Sequence, residues 1–392
     1  MVALAGSESA ALCVFMPLRK VCINASNLRH GGGIQVATSF VDEMARLPLD
    51  DLAISVFVSS EVASNLQDAG IDTSVFREYR VVNCYGLSSM WSRVQKYFYG
   101  FDLVFTVFGP AYFPFMPGIW VTGFAQAWII NIDNESYKSF GFLGRLKIWL
   151  KFSLQSWFFR RSDRLVVELD HVKSGLVEKG IARKENISVV RNCVSSVYFK
   201  PDAWRQVLLR PVAGSFSIGF VGRDYIHKNI SILVEVKKIL LLNGFAVDFY
   251  VTLTSSEWAA KSDEFRSLIT NVGVLAVAEC PSFYQQMDAV IFPSLLECFS
   301  ATPLEAMVMK KPLFASDRGF VRDVCGDFAW YFDPVDPLSI ANQIMTYIDD
   351  FSGRDGDRLM RARRHAEDFS SARRRAEDYL SIIRDALNFR AD

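Results

Sequence analysis

Pro293-Ser-Leu-Leu-Glu297-Cys-Phe299-Ser300-Ala301-Thr302-Pro303-Leu-Glu305-Ala-Met307 follows the short apolar run Val290-Ile291-Phe292, and the two together decide how this chain reads. The apolar run has the look of a buried strand. Thr302 is placed to cap a helix, Pro303 suits the first helical position, and Glu305 falls where a capping box puts its acid. A strand passing through a short loop into a helix is the repeating unit of a parallel α/β sheet. The loop itself, 298–301, offers free N–H groups at a helix start, which favour an anion. Glu297 stands at the carboxyl end of the strand, facing the crevice in which open α/β sheets bind ligands. Glu305 reads either as the capping partner of Thr302 or as a second ligand group.

Outward from this stretch, the same alternation fills the chain. Strand-like runs at 20–24, 54–58, 103–107, 120–123, 165–167 and 187–190 are separated by helical patterns such as 35–47. After Asn192-Cys193-Val194 and Phe199-Lys200-Pro201-Asp202 the alternation restarts with a strand at 216–221, a helix at 230–242 and strands at 249–253, 288–292 and 312–315. Two doubly wound α/β halves are expected, meeting near residue 200. A length of 392 residues suits two cores.

Composition narrows the class. Equal numbers of basic and acidic residues, 43 each, leave no bulk field to attract nucleic acid. Seven scattered cysteines, odd in number and without a C-x-x-C pair, argue against a disulfide framework or a structural zinc site and suit a reducing cytoplasm. The apolar patch 11–16 follows Glu8 and precedes Arg19-Lys20, the wrong charge order for a signal peptide, so residues 1–18 read as an extension with Met16 as a candidate start. No apolar run approaches the roughly 18 residues needed to span a bilayer.

Three further segments carry chemistry. Phe220-Val221-Gly222-Arg223-Asp224-Tyr225-Ile226-His227-Lys228-Asn229 leaves a buried strand for a helix that Asn229 is placed to cap. Arg223 and Lys228 can converge there on one anion, the first as a fork and the second as a point charge, or be solvated surface. Asn24-Ala-Ser-Asn-Leu-Arg29-His30-Gly31-Gly32-Gly33-Ile-Gln35 sets three glycines between the first strand and first helix. Glycine lets backbone approach a phosphate closely, or merely connects flexibly. The pattern lacks G-x-G-x-x-G and the Walker lysine, which disfavours a nicotinamide dehydrogenase or P-loop enzyme. Residues 138–164 combine seven basic residues and one acid with many aromatics, and Phe142, Leu146, Leu150, Leu154 and Phe158 recur every four positions. That helix reads either as a basic, aromatic membrane-contact surface or as a buried domain helix.

The segment from Glu297 to Glu305 resembles the Glu-x7-Glu signature of retaining glycosyltransferases of family 4, the group 1 glycosyl transferases, which have the GT-B fold. Matching blocks run from about Arg164 to Asn342, including Asp317-Arg-Gly-Phe-Val-Arg-Asp and Asp333-Pro-Val-Asp336-Pro. The resemblance implies two Rossmann-like doubly wound domains facing across a cleft, 19–198 on the acceptor side and 199–370 binding the nucleotide sugar. A C-terminal helix, 371–392, would cross back to the first domain.

The same resemblance implies transfer of a hexose from a nucleotide-diphosphate sugar, GDP- or UDP-linked, to a glycan or lipid-linked acceptor in surface polysaccharide synthesis, with a mannose- or rhamnose-type sugar expected. Arg223 and Lys228 would hold the diphosphate together with Gly32, Gly33 and the backbone of Phe299, Ser300 and Ala301. Glu297 would meet the sugar and Glu305 the ribose. Neither metal nor cofactor is expected. Many members carry a histidine after the strand at 120–123; here Gln126 is the nearest hydrogen-bonding substitute on the acceptor side. Asn229 and Ser300 stand where glycines are common, and Cys298 also departs from the pattern. His171 and His227 remain, each reading as a surface or core residue more readily than as a substrate contact. The competing readings are a sugar-nucleotide epimerase or phosphorylase, and a non-catalytic sugar-nucleotide-binding subunit. A place in the cytoplasm, at the inner face of the plasma membrane, completes the expectation.

Overall fold

A computed structural model describes residues 18–389 except 30, 92, 132, 133, 210 and 352. The expected extension through residue 17, with Met16, and His30 of the glycine-rich turn lie outside the described residues, as do 390–392.

The first sheet contains β1 (Arg19–Ala25), β2 (Leu52–Val58), β3 (Glu78–Val81), β4 (Leu103–Thr106), β5 (Ile119–Gly123), β6 (Arg164–Val167) and β7 (Ile187–Val189) in the spatial order 3-2-1-4-5-6-7. The second contains β8 (Phe216–Phe220), β9 (Val247–Val251), β10 (Thr270–Asn271), β11 (Ala289–Phe292), β12 (Leu313–Ser316) and β13 (Trp330–Phe332) in the order 10-9-8-11-12-13. Every strand pair is parallel. Helices cover both faces, which is why β2, β4, β5 and β11 are buried along their whole length and read as continuous apolar runs. Strand order reverses between β1 and β4 and again between β8 and β11. These switch points open crevices at the strands' carboxyl ends.

The chain then returns to where it began. A helix Gly356–Phe369 precedes a second, Ala372–Phe389, with the break at Ser370 in extended backbone. The second is the crossing helix. Its Ala376, Tyr379, Leu380, Ile383 and Leu387 join the core of the first sheet, and Tyr379 meets Phe40 edge-on at 4.9 Å. Arg384 closes the contact with a fork of two 2.7 Å bonds to the Asp51 carboxylate.

Three local expectations are corrected. The helix after β11 runs Thr302–Val308 with Ala301 as its N-cap, already in helical backbone, so Thr302 does not cap it and no capping box forms. The first helix begins at Gly32, earlier than the 35–47 pattern, so only Gly31, with φ 77°, belongs to the turn, a conformation that favours glycine. Asn229 does not cap by its side chain. It takes φ 57°, the left-handed region, and its Nδ2 donates to Pro334 O at 2.7 Å, so it fills a glycine-like position by the tolerance Asn has for that backbone.

Candidate functional site

Loops leaving β8 and β11 build the centre of the site. Leu295 N–H donates to His227 O at 2.7 Å, tying the turn Ile226–Lys228 to the loop that carries Glu297. Lys228 Nζ lies 2.5 Å from Glu297 Oε1, and the two side chains keep only 12% and 13% of their exposure. This is a nearly buried ion pair, held further by the Phe292 ring 5.2 Å from the ammonium. His227 Nε2 stands 3.9 Å from the same Glu297 oxygen. Burial holds the His227 imidazole below its usual pKa, with Glu297 opposing and Lys228 adding to the shift.

Arg223 is elsewhere in this arrangement. Its Nε donates to Glu257 Oε1 at 2.8 Å, and the Asp224 N–H donates to that oxygen at 3.2 Å. Glu257 also forms the capping box of Thr254. Although burial opposes it, these bonds bring the Glu257 carboxyl down to about 2. The two cations of the turn are thus each matched to a separate carboxylate, and Arg223 remains half exposed.

Glu305, freed of any capping task, points at β11's neighbouring helix. It accepts a 2.9 Å bond from the Tyr284 hydroxyl. Burial pushes its carboxyl up, while Tyr284, Tyr198 and the Lys228 charge pull it down. Lys228 therefore acts on both glutamates of the motif. Between them, Cys298 turns into the core, where burial raises its thiol strongly. Its side chain does not crowd the loop. Phe299 stacks on Phe369 at 6.5 Å, which fixes the loop against the helix Gly356–Phe369.

The first domain meets the turn Ile226–Lys228 through Trp128. Gly32 and Gly33 lie in the first turn of their helix; a Cβ on Gly32 would meet nothing within 4 Å, whereas one on Gly33 would press on Leu28 at 3.3 Å. Gln126 is the N-cap position of the short helix Ala127–Ile130, without a side-chain capping bond. The neighbouring Trp128 is edge-on to His227 of that turn at 6.5 Å and stacked on Phe152 at 5.8 Å. His171 packs against Gly319, and its backbone N–H binds Asp323 at 2.8 Å.

Sequence reasoning missed Glu168. It follows β6, is 6% exposed, and accepts a 2.7 Å bond from Asn192 Nδ2. Burial lifts its carboxyl to about 7, with Asn192 and Arg375 opposing and the Glu297 charge adding. Arg375 of the crossing helix donates to Asn192 Oδ1 and to Ser39 Oγ, so a buried polar chain ties the crossing helix and the helix Gly32–Met44 to Glu168.

Residues 215–350 match the glycosyl transferases group 1 family. The match covers most of the second domain and both carboxylates of the motif. Among curated proteins, the O-antigen chain mannosyltransferase RfbU of Salmonella typhimurium is 24% identical over 199 residues, 49% of this chain and 53% of that one. The chain thus spans about half the length of that relative. Among solved structures, sucrose-phosphate synthase of Thermosynechococcus elongatus superposes with a TM-score of 0.68 at 14% identity, covering 96% of this chain and 100% of that one. Anabaena HepE in complex with UDP and glucose gives 0.64 at 15% identity, covering 94% and 100%. These likenesses show the fold, GT-B, as the two facing parallel sheets and the crossing helix require.

Proposed function

We propose that this chain is a retaining glycosyltransferase that moves a hexose from a nucleoside-diphosphate sugar to an acceptor hydroxyl, a lipid-linked glycan of surface polysaccharide. The observation that carries the reading is the nearly buried Lys228–Glu297 pair at the carboxyl end of β11, inside the segment matching group 1. A cation paired this way is ready to exchange its carboxylate for a diphosphate. As the glycosidic bond breaks, negative charge grows on the leaving β-phosphate, and groups aimed there lower the barrier. Lys228, Arg223 released from Glu257, and the N–H groups of Phe299, Ser300 and Ala301 are those groups, with Gly32 and Gly33 approaching from the other wall. Glu297 holds sugar hydroxyls and faces the cationic sugar. Glu305, oriented by Tyr284, takes the ribose. The leaving phosphate receives the acceptor's proton on the face it departs from, so the reading needs neither a protein base nor a metal.

The relatives favour a polysaccharide acceptor and a nucleotide donor: one is named an O-antigen chain mannosyltransferase and one was solved with UDP and glucose. Membrane contact is supported by the helix Phe142–Phe159, on which Phe142, Leu143, Trp149, Leu150 and Trp157 are half exposed or more. No acid occurs between Glu135 and Asp163. No described helix is long and apolar enough to cross a bilayer.

Thermal stabilisation across UDP- and GDP-sugars selects the donor, and transfer to lipid-linked acceptors then tests turnover. Glu297→Ala should abolish transfer while keeping nucleotide binding. Wild-type turnover in that variant would remove the mechanism, and binding without turnover in the parent would point to a non-catalytic subunit. Vesicles containing phosphatidylglycerol should sediment the parent but not Trp149→Glu/Trp157→Glu.

A further inference from the structure

The turn Ile226–Lys228 presents an imidazole, whereas the segment after β5 carries Gln126 and no histidine. His227 is fixed from three directions. Its carbonyl accepts from Leu295 N–H at 2.7 Å, its ring stacks on Tyr225 at 5.5 Å with planes 18° apart, and Trp128 of the first domain closes edge-on at 6.5 Å. About a fifth of its side chain stays open to the cleft. Its Nε2 faces Glu297 Oε1 at 3.9 Å, which is too far for a bond between them. An oxygen placed about 2.8 Å from each fits that gap with an angle of about 90° at the oxygen.

We propose that His227 and Glu297 together clamp one hydroxyl of the donor sugar, so that His227 is a specificity-determining contact contributed by the nucleotide-binding domain. The inference rests on the transferase reading and adds a residue to it. Its polarity follows from the partners. Glu297 only accepts, so the hydroxyl donates to Glu297 and must accept from an N–H. A neutral imidazole with its proton on Nε2 supplies that donor. The groups facing the ring are Glu297, Lys228, Tyr225 and Trp128, and its burial beside Lys228 favours the neutral form. A second cation here would compete with Lys228 for Glu297 and draw the carboxylate away from the sugar.

The test compares the parent, His227→Ala and His227→Gln on UDP-glucose or GDP-mannose, whichever turns over, and on the monodeoxy forms of that donor. The parent should lose roughly 10-fold or more in kcat/KM on one deoxy donor, as a buried site does when a hydrogen-bond partner is withdrawn. His227→Ala should lose a similar factor on the full donor and distinguish that pair less sharply, Glu297 alone still accepting from the hydroxyl. His227→Gln should recover part of the loss and abolish the acid limb of the pH profile. Binding of free UDP or GDP, read by calorimetry, should stay within about twofold in both variants, which also shows that they fold. Unchanged discrimination in His227→Ala, or an equal loss of free nucleotide affinity, would overturn the proposal. A parent inert toward every donor would instead remove the transferase reading itself.

Discussion

Replacing Glu297 by Gln keeps the side chain's shape and removes its charge. The Lys228 ammonium now lies 2.5 Å from a carboxylate oxygen with 12% of its side chain exposed. At an effective dielectric near 20, that separation corresponds to a gross attraction of about 7 kcal/mol. Most of it offsets the cost of drying the two ions. With Gln, Lys228 keeps the drying cost and loses the attraction, so a destabilisation of about 2 kcal/mol is expected, read as a lowered midpoint in urea. The same change frees Lys228 for an anionic ligand. UDP or GDP should then bind about 5-fold more tightly by calorimetry, a gain of about 1 kcal/mol. Turnover should fall in the opposite direction, by about 10²–10³-fold, because the charge facing the cationic sugar is gone. Tighter nucleotide binding with slower transfer is the signature of a carboxylate that competes with the diphosphate for Lys228 at rest and serves the sugar in reaction. Weaker nucleotide binding in Glu297→Gln, or undiminished transfer, would refute the reasoning.

Other outcomes follow from the surrounding groups. Burial raises the Glu168 carboxyl from 4.5 to about 7, so its contribution to stability is fully present below pH 4.5 and is lost as pH rises through 7, by about 3 kcal/mol at most. Glu168→Gln should flatten that part of the urea-stability profile and stabilise the protein above pH 7. Tyr284→Phe removes the 2.9 Å donor to Glu305 and should weaken UDP or GDP about 5-fold by calorimetry while leaving pyrophosphate binding unchanged. Arg223→Ala should weaken nucleotide binding about 10-fold with little effect on the unfolding midpoint, since Arg223 is half exposed and Glu257 keeps its bonds to Thr254 and the Asp224 N–H. Transfer in excess EDTA should match transfer with added magnesium, because Arg223 and Lys228 supply the positive charge; loss of activity on chelation would show that a metal is needed.

The sheets were legible because parallel strands buried on both faces must be apolar along their length. The runs at 54–58, 120–123 and 288–292 lie within one or two residues of β2, β5 and β11. β3 and β13 escaped notice for the complementary reason: Glu-Tyr-Arg-Val at one sheet edge is partly exposed, and Trp-Tyr-Phe is short and followed by Asp-Pro. At the helix start, Thr-Pro-Leu-Glu fits a capping box by composition, yet Ala301 already has helical backbone and the turn begins one residue early. Local pattern cannot see that Tyr284, on another helix, claims Glu305. The Lys228–Glu297 contact was equally hidden, since nothing in either segment fixes how the β8 and β11 loops approach. Trp128 and Glu168 were missed because each matters only through a partner in another part of the chain, His227 in one case and Asn192 with Arg375 in the other.

The crossing helix imposes an order on synthesis. Phe40, Phe105 and the rest of the first sheet's core lack a wall until Tyr379, Leu380 and Ile383 have been made. The second domain, whose strands and helices are contiguous in the chain, can close while its predecessor waits with apolar surface uncovered. A fragment ending near residue 370 is therefore expected to aggregate through its first domain although every residue of that sheet is present.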